Sequence, residues 1–269
     1  MAETVANILS IAGSDPSGGA GIQADIKTFA ARGTYGMAAL TALTAQNTLG
    51  VSGVHLVPPA FVAAQIADVF ADVRVDAVKI GMIASAEIAE AVADALTPHR
   101  SVPVVLDPVM VAKGGASLLA LEAVAALTRR LLPLATVLTP NLPEAAALLG
   151  EPEAIDRAGM EDQARRLLGL GPKAVLLKGG HLPGAESPDV LATPEGCRWL
   201  EGVRVLTRNT HGTGCSLSSA IAAELGKGQA LSEAVAAAKS FIAGAVRSSD
   251  ALTVGAGHGP LHHFHALWV

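Results

Sequence analysis

Apolar positions along this chain alternate between two spacings. Short β-rich runs predict strands at 6–13 (ANILSIAG), 39–46 (ALTALTAQ), 76–83 (DAVKIGMI), 102–109 (VPVVLDPV), 135–141 (ATVLTPN) and 174–180 (AVLLKGG). Ala/Leu-rich segments of helical period lie between and after them, at 61–73, 85–96, 121–132, 160–170, 216–228 and 231–249. Strands alternating with helices predict βαβ units: an α/β fold with a mostly parallel sheet and helices on both faces. Runs such as VVL and AVLL are apolar at every position, as strands covered on both faces are. One segment departs from this. DVLATPEGCRWLEGVRVLT, 189–207, predicts a β-hairpin turning at PEG and adding antiparallel strands to the sheet. No repeat or long linker interrupts the chain, so 1–269 is expected to form one domain.

Polar and glycine residues gather where the predicted strands end. The first leads into AGSDPSGGAGIQAD, the second into QNT and the third into GM; the next three end in DPVM, TPNLPE and KGG. Open α/β sheets bind ligands at the carboxyl ends of their strands, so these loops form the candidate site.

Composition narrows the partners. Hydrophobic residues make up 51% and charged residues 16%, against about 25% charged in an average soluble protein. That balance implies extensive burial, in the doubly covered sheet or at a subunit interface, and leans towards a homodimer. A net charge of −5, no basic block and few aromatic residues exclude a nucleic-acid partner. Two isolated cysteines, Cys197 and Cys215, suit neither a disulfide framework nor a zinc site and point to a reducing compartment. There is no basic leader and no apolar run approaching membrane-spanning length, so a cytoplasmic protein without a membrane partner is expected.

NTHGTGCSLSSA, 209–220, carries the strongest chemical signal. A glycine turn opening a helix aims backbone N–H groups and the positive end of the helix dipole at one point, which suits an anion. Cys215 then has three readings: a buried structural thiol, a nucleophile beside His211, or part of an anion hole around a transferring phosphoryl group. Lys178 in LLKGGH could meet nucleotide phosphates. Asp107 in LDPV, with Asn141 and Glu144 in TPNLPE, supplies oxygens enough for magnesium bound through phosphates, although Glu144 also reads as an ordinary first-turn helix acid. Near the N-terminus, Gln46 offers the donor and acceptor needed to read an aminopyrimidine edge, and Met82 an apolar wall. Asp25 reads as a site residue or a plain helix acid. The four histidines of GHGPLHHFHALWV are expected to serve structure, because His262 and His263 would point apart.

AGSDPSGGAGIQADIKTF, TALTAQNT, KIGM, VVLDPVM, LTPNLPEAAALL, LLKGGH, NTHGTGC and GPLHHFHA, in this order, closely resemble the hydroxymethylpyrimidine/phosphomethylpyrimidine kinases of thiamine biosynthesis, in the ribokinase-like superfamily. The resemblance spans residues 7–268. It implies a ribokinase-like fold and an enzyme that uses ATP and Mg²⁺ to phosphorylate 4-amino-5-hydroxymethyl-2-methylpyrimidine, then its monophosphate. It also implies roles: Gln46, Asp25, Met82, Gly13 and Thr44 around the pyrimidine, and Lys178, Asn141, Thr210 and His211 at the nucleotide. Asp107 and Glu144 would serve the metal, and Gly212, Thr213, Gly214 and Cys215 the anion hole. Thr44 departs from the family pattern, which is expected to be aliphatic there.

Sugar kinases of the superfamily usually carry an aspartate where Cys215 stands. A phosphate monoester acceptor needs no base, and a fixed carboxylate would repel it by about 4 kcal/mol at close range. For the alcohol acceptor, Cys215 as thiolate is the candidate base. Two other enzymes compete with this reading, a pyridoxine/pyridoxal kinase and a Cys215–His211 acyl-transfer enzyme. A non-catalytic ligand-binding module is the third alternative.

Overall fold

The computed structural model describes residues 4–110 and 121–268. Its elements run β1 (Asn7–Ala12), α1 (Gly21–Ala31), β2 (Tyr35–Leu40), β3 (Ala42–Asn47), β4 (Gly50–Leu56), α2 (Pro59–Asp72), β5 (Ala77–Ile80) and α3 (Ala86–Leu96). Then follow β6 (Val104–Leu106), α4 (Leu121–Ala126), β7 (Val137–Leu138), α5 (Leu142–Leu149), α6 (Arg157–Leu168), β8 (Val175–Lys178), β9 (Asp189–Thr193), β10 (Gly196–Leu200), α7 (Thr213–Gly226) and α8 (Leu231–Arg247).

Eight strands form one sheet in the order β10-β9-β8-β7-β6-β5-β1-β2. Pairing is parallel from β2 to β8, and the β9–β10 hairpin adds two antiparallel strands at one edge. This is the expected α/β architecture.

Strand side chains alternate between two cores, as a two-residue period requires. Leu9, Val78, Leu106, Leu138 and Leu177 face a core closed by Val62 and Ile66 of α2, Ile88 and Val92 of α3, and Met160 of α6. Their neighbours Ile8, Ala77, Val105, Val137 and Leu176 face a second core with Phe29 of α1, Ile221 of α7 and Phe241 of α8. Hence the middle strands are apolar on both faces apart from Ser10 of β1 and Lys79 of β5, which bond Asp25 of α1.

Three expectations need correction. The run at 39–46 is not one strand: β2 ends in the main sheet at Leu40, and β3 leaves it to pair with β4 in a separate antiparallel hairpin. The segment around Asp25, absent from the helices predicted by periodicity though Asp25 was read as a possible helix acid, forms α1. The helix expected at 121–132 is α-helical only to Ala126, then passes through a π-turn at Leu127–Leu131 and a 3₁₀ turn at Leu132–Leu134. Pro133 lacks the N–H that a continuing helix needs. Among the described residues, no helix is long and apolar enough to cross a membrane.

Candidate active site

The chain reverses its direction across the sheet between β1 and β5, whose neighbours lie on opposite sides. Parallel sheets place ligands at the carboxyl ends of such a pair. Here the loop after β1 meets Gly81 and Met82 after β5, so closely that a side chain on Gly13 would collide with the Met82 methyl group. A cavity of about 1400 Å³ opens from this point. It runs past the start of α7 towards β10 and α8, where Trp199, Val205, Ile242 and Arg247 line its far end.

Gly13, Thr44, Gln46, Met82, Asp107, Asn141, Glu144, Lys178, Thr210, His211, Gly212, Thr213, Gly214 and Cys215 all line this cavity. Asp25 does not. It is fully buried beneath the wall, where it accepts hydrogen bonds from Ser10 Oγ (2.6 Å), Ser219 Oγ (2.7 Å) and Lys79 Nζ (2.8 Å). Direct contact between Asp25 and a substrate is therefore corrected to support of Lys79. Lys79 itself was missed, although it lines the cavity. Burial opposes its charge, but Asp25 more than compensates and raises its pKa above the ordinary lysine value. A lysine inside the apolar strand DAVKIGM was the available signal.

Two glycine loops meet backbone to backbone at the start of α7. Gly212 caps α7 in the left-handed conformation (φ 79°), and a Cβ there would run into the Gly19 carbonyl. Asp15, also missed, ties the loops together. Its carboxylate accepts from Ser17 N and Oγ, Gly19 N, Ala20 N and His211 Nε2. Burial alone would raise its pKa, yet these bonds, led by His211, hold it at about 2. His211 thus sits between Asp15 and Gln46. The tail braces the same loop: His211 N donates to Gly259 O (3.0 Å), and buried His263 pairs with Ser216 Oγ (2.9 Å). The tail histidines serve structure, as expected.

At the start of α7, helix geometry leaves first-turn N–H groups without carbonyl partners one turn back, and the dipole adds positive potential. Gly214 permits a close approach, since its Cβ would lie 3.2 Å from Lys178 Nζ and 3.5 Å from Asp107 Oδ2. Lys178 Nζ lies 3.1 Å from Asp107 Oδ1 and 3.9 Å from Glu144 Oε2. Asn141 and Glu144 close a capping box on α5, so each is partly engaged by the other's backbone. Burial pushes the Glu144 carboxyl up, Lys178 pulls it down and Asp107 pushes it up again, leaving it at about 7.

Glu144 therefore binds its proton more tightly when folded. That contribution to stability is complete below the ordinary carboxyl value of 4.5 and disappears as pH rises through 7. Glu144→Gln is expected to flatten the loss of folding free energy between about pH 5 and pH 8. Urea titrations across that range check it, and an unchanged slope would refute it.

Cys215 keeps part of its surface on the cavity. Burial raises its thiol to about 11, against the pull of Lys79 and a bond from the Gly21 N–H. Burial therefore works against Cys215 as the thiolate base, and the undissociated thiol is the form it favours near neutral pH. In a Cys197→Ser background, iodoacetamide is expected to modify Cys215 slowly at neutral pH, with half-maximal rate only near pH 11. A midpoint near neutrality would overturn this.

Comparison with known proteins agrees with the geometry. A family model described as phosphomethylpyrimidine kinase matches residues 15–262. This chain belongs to that family. It is 54% identical over 262 residues to the hydroxymethylpyrimidine/phosphomethylpyrimidine kinase of Salmonella typhimurium, covering 97% of this chain and 98% of that protein. Among solved structures, an ADP complex of a Bacillus subtilis pyridoxal kinase superposes with a TM-score of 0.89 at 38% identity, over 98% of this chain and 99% of that one. A phosphomethylpyrimidine kinase from Clostridium difficile gives 0.79 at 43% identity, over 89% and 98%. The fold is thus ribokinase-like and the protein a phosphotransferase. No three His, Cys, Asp or Glu side chains converge on a metal position among the described residues. A shell of one or two carboxylates completed by phosphates and water is what magnesium uses in kinase sites, and the cavity-facing Asp107 and Glu144 fit it.

Proposed function

We propose that this protein transfers the terminal phosphoryl group of ATP to 4-amino-5-hydroxymethyl-2-methylpyrimidine and then to the resulting monophosphate, in thiamine diphosphate biosynthesis. The carrying observation is one continuous cavity with Gln46 at one end and, beside it, the α7 turn, Lys178, Asp107 and Glu144. Gln46 supplies the polar edge for the ring and Met82 packs on it. In the first step the bond between the ATP γ-phosphorus and the β,γ-bridging oxygen breaks and ADP departs with that oxygen, a bond to the hydroxymethyl oxygen forms, and the hydroxyl proton passes to solvent water by way of the transferred phosphoryl oxygens. Transfer of this kind relies on positioning and charge stabilisation more than on a strong base, consistent with an undissociated Cys215. Lys178 and the N–H groups of Gly214 and Cys215 receive the migrating charge. Asp107 and Glu144 would hold Mg²⁺, which would neutralise phosphate charge.

A second reading, pyridoxal phosphorylation, is favoured by the close superposition on a pyridoxal kinase. Homodimerisation in the cytoplasm belongs to the proposal too, supported by exposed Leu43, Val54 and Leu56 on the β3–β4 hairpin and by two unpaired cysteines.

The test offers Mg-ATP with three acceptors: the hydroxymethylpyrimidine, its monophosphate and pyridoxine, with products read by mass spectrometry. Turnover of the first two, ending in the diphosphate, is expected. Turnover of pyridoxine alone would replace the substrate and keep the phosphate site. Inactivity on all three would overturn the proposal.

A further inference from the structure

Gln46 is held at both ends of its carboxamide, and the two neighbours decide which end carries the nitrogen. At one end Gln46 Oε1 lies 3.3 Å from Thr44 Oγ1 and at the other Gln46 Nε2 lies 3.3 Å from His211 Nε2, an order that the hydrogen bonding of the two neighbours reverses. Oxygen and nitrogen of a primary amide occupy nearly equal volumes, so their order follows from hydrogen bonding. The register of β3 against β4 shifts between Ala45 and Gln46.

At the first end, Thr44 Oγ1 lies 2.9 Å from the Ser14 carbonyl. A carbonyl has no hydrogen to give, so this bond uses the only hydroxyl proton Thr44 has. Towards Gln46, Thr44 is left with lone pairs and needs a donor. At the second end, His211 Nε2 lies 2.8 Å from Asp15 Oδ2. Asp15 already accepts from two backbone and side-chain groups of Ser17 and from the amides of Gly19 and Ala20, as only an ionised carboxylate does. His211 must therefore carry its one hydrogen on Nε2 and direct it at Asp15, which leaves Nε2 no lone pair to accept from an amide NH₂, whereas an amide oxygen at 3.3 Å can share that hydrogen. One arrangement satisfies both neighbours: the amide nitrogen at Thr44 and the amide oxygen at His211.

We infer that Thr44 and His211 act as positioning residues that fix the direction of the Gln46 carboxamide, and with it which way round an aminopyrimidine enters the site. This rests on the proposed role of Gln46 in binding the ring. With that polarity, the free N–H of Gln46 faces the ring nitrogen on the Thr44 side. Its free lone pair accepts from the exocyclic amino group on the His211 side. In the proposed substrate the hydroxymethyl group sits next to the amino group, on the side away from that ring nitrogen. It is thereby directed past His211, which immediately precedes the Gly212 cap of α7. The opposite amide direction would turn the hydroxymethyl group away from the phosphate-binding turn.

The experiment compares two acceptors, the 4-amino substrate and its 4-oxo analogue, whose edge presents a ring N–H and a carbonyl in reversed order. The wild-type protein is expected to prefer the amino compound. Thr44→Val frees one end of the amide. It is expected to narrow the ratio of kcat/KM between the two acceptors by about tenfold or more, the equivalent of one neutral hydrogen bond. KM for Mg-ATP is expected to stay unchanged. Thr44→Ser keeps the oxygen and is expected to keep the wild-type ratio. An unchanged ratio in Thr44→Val would overturn the inference while leaving the kinase assignment intact. Failure of the wild-type protein on the amino compound would remove the substrate assignment first, and the inference with it. Amide proton NOEs in the wild-type protein read the same point without a variant. Contacts from the Gln46 NH₂ to the Thr44 methyl are expected, and contacts to the His211 ring protons instead would overturn it.

Discussion

Lys79→Met is expected to lower the folding free energy by about 3–5 kcal/mol, the usual consequence of stranding one member of a buried ion pair. Lys79 and Asp25 are both wholly shielded from solvent, and the two Asp25 oxygens lie 3.0 and 2.8 Å from Lys79 Nζ. Without the ammonium, the Asp25 carboxylate keeps the Ser10 and Ser219 hydroxyls. It loses its countercharge in a place where water cannot replace it. The double variant Lys79→Met/Asp25→Asn removes both charges and is expected to recover much of the loss, because paired removal is frequently close to neutral. Urea unfolding of the two variants against wild type distinguishes the cases. Equal stability of the single and double variants would mean that Asp25 is not ionised in the fold.

The same pair marks the limit of what the sequence revealed. The doubly covered strands were legible because the apolar runs at β5, β6, β7 and β8 leave no polar face to misread. Loops that end strands were legible as a site because glycine and polar residues have little other reason to gather there. The residues that support the site were harder to read. Asp25 looked like a ligand group, since a sequence cannot reveal that Lys79, fifty-four positions away, claims both its oxygens. Asp15 likewise acts through His211, 196 positions distant. The β3–β4 hairpin escaped for another reason. Apolar character runs on across Thr41, and GVSGVHL carries two glycines, so only its pairing with β3 identifies β4 as a strand.

Lys178→Met is expected to reduce kcat by about 10²–10³-fold in both phosphorylations, the effect of removing one preorganised charge-stabilising donor. KM for the pyrimidine is expected to change little, because Gln46 and Met82, rather than Lys178, hold the ring. The ammonium also separates two carboxylates: it sits 3.1 Å from Asp107 and 3.9 Å from Glu144. It is the group that draws the Glu144 pKa down, against burial and Asp107. Its removal leaves only the Asn141 N–H bond to oppose burial and like charge, so Glu144 is expected to titrate above the value of about 7 that it has beside Lys178. Stability contributed by protonated Glu144 then persists to higher pH in the variant than in the wild type. Lys178→Met/Asp107→Asn removes the like charge and is expected to bring that titration part of the way back, without restoring kcat. Steady-state kinetics with pH-dependent unfolding of the three proteins separate the roles. A large loss of kcat with an unmoved titration would confine Lys178 to the phosphates, whereas a moved titration with normal kcat would make it a structural counter-ion for two buried acids.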